Sequence, residues 1–291
     1  MISLEDARFE MIRRGKIVEG LITSEKPELY ELFTIYQNEA LESRKILHNS
    51  LIQLEKGASL LEVGGGILAL ATQLASEGYE VTTVEPVAEG FTGINYIMTV
   101  FTRVAESEKL QFKFVNAPIE DCKFDHVYDF VFSINVMEHL KDPYTILNDL
   151  LELTKYNGSY RFICPNYDFP YEPHFAKWLF LRKNSSFYLS RKRMRKGNVF
   201  LADRDGLYES LNFITYKRIM KNLDKDRYSI SVNHNALYDL TTRVLIDDKL
   251  QARHRFLYKV VIWLNKLHLL KIGKVVPVSF QPTLDITISS R

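Results

Sequence analysis

Two groups of side chains have the types and spacing that chemistry needs. The first is Leu61-Glu62-Val63-Gly64-Gly65-Gly66, followed by Glu85. Glycines permit a sharp backbone turn and let a ligand approach without a Cβ in the way. A helix starting there presents unpaired N–H groups. A carboxylate about 20 residues on, ending the next strand, accepts both hydroxyl hydrogens of a ribose. The combination predicts a site for an adenosine-bearing compound. Gly64-x-Gly66-x-x-Ala69 also satisfies the dinucleotide pattern, so the loop alone leaves a nicotinamide cofactor open. Glu62 favours a different compound. Two residues before the first glycine, its carboxylate attracts the ammonium and sulfonium charges of S-adenosylmethionine, and it would repel a pyrophosphate.

The second group is a pair of candidate bases, His139 and His174. Each follows the carboxyl end of an expected strand, the edge where ligands bind in parallel sheets. Histidine suits proton transfer because its unperturbed pKa lies near neutrality. His174 ends Tyr171-Glu172-Pro173-His174, and both Asp168 and Glu172 are placed to orient it. The plainer reading of His139 is that it braces the loop before the next helix.

These residues need a scaffold, and the chain's periodicity supplies one. Residues up to about Leu54 have apolar positions at helical spacing. Strands are expected at Ser59–Val63, Glu80–Glu85, Gln111–Val115, Tyr128–Ile134 and Ser159–Cys164, with helices at Leu68–Ser76, 88–105 and Pro143–Thr154 between them. Alternation at this pitch indicates a parallel sheet covered on both faces. After Pro165 the rhythm breaks. A helix at Tyr216–Leu223, a strand at Tyr228–Val232, another at Thr241–Ile246, a helix at Leu250–Leu270 and a last strand at Thr283–Ser289 are expected. The fold class is α/β: a Rossmann-like sheet with N-terminal helices, an insertion after the fifth strand and a C-terminal helix before an antiparallel strand. The expected divisions are a helical segment 1–54, a cofactor-binding core 55–164, a basic aromatic insertion 165–212 and a C-terminal completion 213–291.

Four segments together resemble the motifs of class I S-adenosylmethionine-dependent methyltransferases. They are Leu61 to Gly66, Val84-Glu85-Pro86, Phe114 to Asp121, and Phe130 to Pro143 with its Glu138-His139-Leu140-Lys141-Asp142-Pro143 ending. That ending is similar to ubiquinone-biosynthesis O-methyltransferases. Pro165-Asn166-Tyr167 with Tyr171-Glu172-Pro173-His174-Phe175 resembles bacterial methyltransferases of surface-glycan synthesis. The resemblance implies cofactor contacts at Glu62, Gly64, Gly65, Gly66, Glu85, Pro86 and Asn135. It also implies a third-motif residue on the adenine, with Asn116-Ala117 and Pro118-Ile119 as alternative registers and Ile119 favoured by its spacing to the fourth strand. The chain departs from the family at Leu68, where a third glycine is common. The ubiquinone-type resemblance further implies that Glu138 and His139 help hold a divalent ion. Asn135 stands where another carboxylate is expected, so no metal is expected. The implied activity is methylation of an oxygen on a saccharide or lipid-linked acceptor, with a quinone or aromatic hydroxyl as the alternative. An NAD-dependent oxidoreductase and a non-catalytic cofactor-binding protein are the readings from other classes.

Bulk properties narrow the field. A net charge of +2 is too small to point to nucleic acid, and none is expected as a partner. Cys122 and Cys164 lack metal-ligand spacing, so two free thiols in a reduced compartment are expected. The start of the chain shows no export pattern, and no run approaches the about 18–20 apolar residues that cross a bilayer. A cytoplasmic protein is expected. Between Glu172 and Asp203 there is no acidic residue, while lysines, arginines and aromatics alternate. That insertion predicts either a solvated lid or a surface for anions, including peripheral contact with the inner membrane face. An oligomer is compatible with the apolar stripe of the last helix.

Overall fold

The computed structural model describes residues 2–87, 92–174, 177–178, 210–247, 251 and 255–291. Two long helices come first, α1 (Leu4–Glu25) and α2 (Tyr30–Leu51). Ser3 caps α1 by accepting the Asp6 amide at 3.0 Å, and Glu5 and Asp6 sit favourably in its first turn. The alternating part follows as β1 (Ser59–Val63), α3 (Ala69–Ser76), β2 (Glu80–Val84), α4 (Thr92–Ser107), β3 (Lys113–Val115), β4 (Tyr128–Ile134), α5 (Pro143–Glu152) and β5 (Thr154–Pro165). A two-stranded antiparallel ribbon, β6 (Tyr171–Glu172) and β7 (Lys177–Trp178), comes next. The chain closes with α6 (Tyr216–Asn222), β8 (Tyr228–Val232), α7 (Ala236–Ile246), α8 (Arg255–Lys266) and β9 (Thr283–Ser290). The sheet has seven strands in the order β3-β2-β1-β4-β5-β9-β8. This is an α/β, Rossmann-like architecture.

The chain divides into two compact units. One comprises Met1–Val136 with Ile146–Arg161, and the other Met137–Thr145 with Phe162–Ser289. In the first, β1 pairs in parallel with β2 and β4, and β2 with β3. Their buried side chains are chiefly leucine, valine, threonine and phenylalanine, and Leu60, Phe130 and Phe132 pack with Leu47 and Leu51 of α2. A relay of buried charge ties the N-terminal helices to this core. Arg14 of α1 donates to Glu108 at 2.7 Å and to Gln73 of α3 at 2.8 Å. Gln73 donates to Glu77 at 2.8 Å, and Arg44 of α2 holds both Glu77 oxygens at 2.8 and 2.7 Å.

Three expectations need correction. The segment expected as a strand at Thr241–Ile246 belongs to α7. Its β-branched residues favour a strand locally, but helical spacing lets Val244 pack with Val261 and Leu270, and tertiary packing overrides the weaker propensity. The Thr241 and Thr242 hydroxyls bond back to the Tyr238 carbonyl, so the helix leaves neither unsatisfied. The helix expected over Leu250–Leu270 is α8, ending at Lys266; His268 adopts a left-handed φ of +56° and turns the chain into a short 3-10 segment, Leu270–Lys274. β5 starts earlier than its apolar run, at Thr154. Within the expected basic insertion, residues 175–176 and 179–209 lie outside the described residues.

Candidate active site

Register brings the first group together. Val63 is level with Val84 on one side and with Ser133 on the other, and Val84 is level with Val115. Gly64, Glu85, Asn116 and Asn135 therefore all leave the sheet at its carboxyl edge. Gly64 has φ +88°, and a Cβ there would collide with the Val136 side chain. At Gly65 a Cβ would collide with the Thr83 hydroxyl. Leu68, where a third glycine is common, takes a glycine-like φ of +66° while its side chain is buried. The loop thus keeps the bend without the residue that makes it easy.

Two carboxylates lie at this bend. The Gly66 amide donates to Glu85 Oε2 at 3.1 Å, and the half-buried Glu85 is pushed up to about 7 by burial, against the pull of that amide. Glu62 is 3% exposed, its Oε2 has no hydrogen-bond partner, and burial pushes it up to about 8, with Glu85 adding to the shift and the Thr83 hydroxyl opposing it. Neighbouring strand ends are tethered. The Glu85 amide donates to the Val115 carbonyl at 3.1 Å and the Val87 amide to Asn116 Oδ1 at 2.7 Å. Pro86 is exposed between them, as is Asn135, which has a left-handed φ of +56°. Ile119 is 8% exposed and borders a cleft of about 200 Å³ with Phe124, Ile146 and Leu150. A larger cleft of about 770 Å³ lies at the opposite ends of the strands, beside Ser59, Glu80, Lys113 and Tyr128.

One residue at the bend escaped sequence reasoning. The Tyr36 ring, carried by α2, stands beside Gly66, 3.7 Å from where its Cβ would be. Burial raises the Tyr36 phenol to about 12, helped by the charges of Glu39 and Glu85. No spacing links residue 36 to residue 66; only the packing of α2 does.

The second unit holds both histidines. With Pro173 between, His174 follows the ribbon strand β6, whose second residue, Glu172, is 1% exposed and bonds His174 Nδ1 at 2.6 Å. An ionised carboxylate only accepts, so Nδ1 carries the proton and Nε2 is the basic nitrogen. The Tyr167 hydroxyl donates to the same Glu172 oxygen at 3.2 Å. Asp168, the other expected orienter, instead accepts the Lys217 amide at 3.4 Å and does not serve His174. His139 packs edge-on against His174, ring centroids 5.1 Å apart, with its Nδ1 3.2 Å from Ser210 Oγ. Burial, with the neighbouring His174, lowers His139 to about 4, so it is neutral at physiological pH and a weak base. Asn212, also unforeseen, fixes the loop carrying Glu138 and His139: its side chain donates to the Met137 carbonyl at 2.6 Å and the Leu140 carbonyl at 2.9 Å. Glu138 Oε1 lies 3.9 Å from His174 Nε2, and one ligand atom from each of Glu138, His139 and His174 falls within 4.8 Å of the others. That donor set suits a divalent cation.

Residues 35–198, more than half of the chain, match the family model described as a methyltransferase domain. The chain belongs to this methyltransferase family. The methyltransferase is also 34% identical over 276 residues to the uncharacterized protein Rv1509 of Mycobacterium tuberculosis, covering 94% of this chain and 93% of that protein. It is 26% identical to a ubiquinone biosynthesis O-methyltransferase of Rickettsia typhi over 118 residues, which is 40% of this chain and 44% of the relative. Among solved structures, the plantazolicin methyltransferase BamL overlaps with a TM-score of 0.49 at 13% identity, covering 99% of both chains. Among the described residues of the methyltransferase, no helix is long and apolar enough to cross a membrane.

Proposed function

We propose that this enzyme binds S-adenosylmethionine at the glycine bend and methylates an oxygen of a saccharide or lipid-linked glycan precursor, with His174 as general base. The carrying observation is the imidazole of His174, whose Nδ1 is bonded to the buried Glu172, an arrangement that orients the ring and makes Nε2 the nitrogen that takes a hydroxyl proton. The residues at the bend suit the cofactor. Glu62 has an unfilled buried oxygen that a cationic amino acid would satisfy, Glu85 is placed for a ribose diol, and Gly64 and Gly65 let the bend pack closely on Val136 and Thr83. When bound, the cofactor supplies an electrophilic methyl group; the chain supplies alignment and the base. Tyr36 covers Gly66, Ile119 meets the adenine, and Pro86 and Asn135 border the bend.

The ubiquinone-type relatives support oxygen as the methylated atom, and the segment around Tyr171–His174 supports a saccharide over a quinone or aromatic hydroxyl. A lipid-linked acceptor brings the enzyme to the inner membrane face. Incubating the protein with S-adenosylmethionine and a panel of lipid-linked sugars, free glycosides and catechols tests this. A mass gain of one CH₂ unit on an oxygen of a glycan supports it, and transfer to catechols alone rejects the saccharide. A second reading rests on the grouping of Glu138, His139 and His174: a divalent ion held there would bind the acceptor oxygen.

Two consequences concern the bend. Glu85→Ala removes a charged acceptor and is expected to weaken cofactor binding by about 1.5–3 kcal/mol, read by calorimetry; unchanged affinity would remove Glu85 from the ribose. Binding should also depend on pH. In the folded, unliganded chain Glu62 and Glu85 keep protons that the unfolded chain has lost, so their contribution to stability is present at low pH. It fades as pH climbs from about 4.5 towards about 8. A cationic ligand favours the ionised forms. Affinity for S-adenosylmethionine should therefore rise between pH 6 and 8, by up to about tenfold per pH unit for each proton released. Calorimetry in buffers of different ionisation heat would detect that release; a flat profile would contradict it.

A further inference from the structure

One surface of the second unit has a composition that methyl transfer does not use. Between Asp248 and Asp285 the sequence has no acidic residue and seven lysines and arginines. α8 buries Val261 against Val244 and Leu270. Lys259, Trp263 and Lys266, spaced by about one helical turn, are all exposed on another face. Trp263 is 60% exposed. Past the left-handed His268, the 3-10 turn Leu270–Lys274 presents Lys271 to solvent beside Ile272 and Val275, and the exposed Lys274 sets its ammonium over the Tyr238 ring, 4.3 Å from the centroid. Val275 is 77% exposed and Phe280 60%. Scattered exposed apolar residues need no explanation, but a run of them interleaved with one sign of charge does.

Charge decides the occupant. A second copy docking through the same patch would place like charges face to face. An uncharged apolar partner would leave the ammonium groups of Lys259, Lys266 and Lys271 without a counter-charge. An anionic bilayer satisfies both features: an indole settles at headgroup depth, and lysine stems lie along apolar surface while their heads reach lipid phosphates. We propose that the face formed by α8 and the segment to Phe280 docks this enzyme onto anionic lipid membranes. Docking here does not depend on which acceptor is methylated, and it lies outside the basic insertion expected to meet the membrane. Among the described residues no helix is long and apolar enough to span a bilayer, and the contact proposed is peripheral.

Vesicle flotation of the full chain tests this, comparing phosphatidylcholine vesicles with and without a minority of phosphatidylglycerol. The protein should float with the anionic vesicles and be released by high salt. Lys266→Gln/Lys271→Gln/Lys274→Gln should lower partitioning by roughly a hundredfold, about fivefold per lysine. Trp178→Phe leaves Trp263 as the only tryptophan. In vesicles carrying brominated lipid, its fluorescence should then be quenched, a measurement that keeps the patch intact if other variants fold poorly. Equal binding to neutral vesicles, undiminished binding by the lysine variant or an unquenched Trp263 would each overturn the proposal. So would a dimer in sedimentation that the lysine variant dissociates, since that assigns the face to a second copy.

Discussion

His174→Ala is expected to lower turnover by about a hundred- to ten-thousandfold while leaving cofactor affinity unchanged, the loss typical of a positioned general base. Glu172 is too buried to be hydrated and sits 2.6 Å from Nδ1, so the ring is held in one tautomer and stabilised once it carries a second proton. Glu172→Gln keeps an acceptor but removes the charge. It should cost less than His174→Ala and move the acid limb of the turnover profile to lower pH, because the imidazolium loses its counter-charge. A merely structural Glu172 would not move that limb. His139→Ala should cost much less than His174→Ala, because a histidine lowered to about 4 drives proton removal poorly. Chelation separates the second reading from the first. Turnover lost to a chelator and restored by a divalent ion would make His174 a ligand, and wild-type turnover in the alanine variant would remove it from the chemistry. The split between turnover and cofactor affinity carries the argument, since a misfolded variant would lose both.

The largest effect on stability is expected at Arg44. Its side chain and that of Glu77 are each 2% exposed, and the guanidinium meets the carboxylate through two bonds. Arg44→Met leaves Glu77 charged and buried with only Gln73 as a neutral donor, a change expected to cost about 3–5 kcal/mol. Arg44→Met/Glu77→Leu should recover most of that loss, because a buried ion pair often contributes little more than well-packed apolar groups of similar volume. Urea unfolding of the wild type, the single and the double variant measures both numbers. A single variant within about 1 kcal/mol of wild type would show that water reaches Glu77. The cost arises far in sequence from the glycine bend, yet it loosens α2, which carries Tyr36. Cofactor affinity should therefore fall in the single variant and return in the double.

The two functional clusters were legible to different depths. The strand, triple-glycine bend and acidic strand end are local, because a sharp turn needs glycine and a parallel neighbour places its last residue at the same edge. Glu172 was legible as a partner of His174 because only Pro173 separates them. Asp168, six positions from His174, was not distinguishable from it, since only the folded loop decides which carboxylate meets the ring. Leu68 conceals its left-handed backbone, because its residue type argues against that conformation and burial of its side chain compensates. α7 misled for the opposite reason: its β-branched residues state a local preference that packing against Val261 and Leu270 outweighs.

Sequence alone therefore determined the α/β alternation, the bend and the chemical types of the candidate base and carboxylates. These follow from backbone sterics and from periodicities of two and 3.6 residues, which act over short stretches of chain. Tertiary structure decided that Tyr36 reaches Gly66, that Asn212 fixes the loop of Glu138 and His139, and that His139 is too desolvated to hold a proton. Each depends on burial or on contact between segments 30 to 75 residues apart, distances over which residue spacing carries no geometry and only packing does.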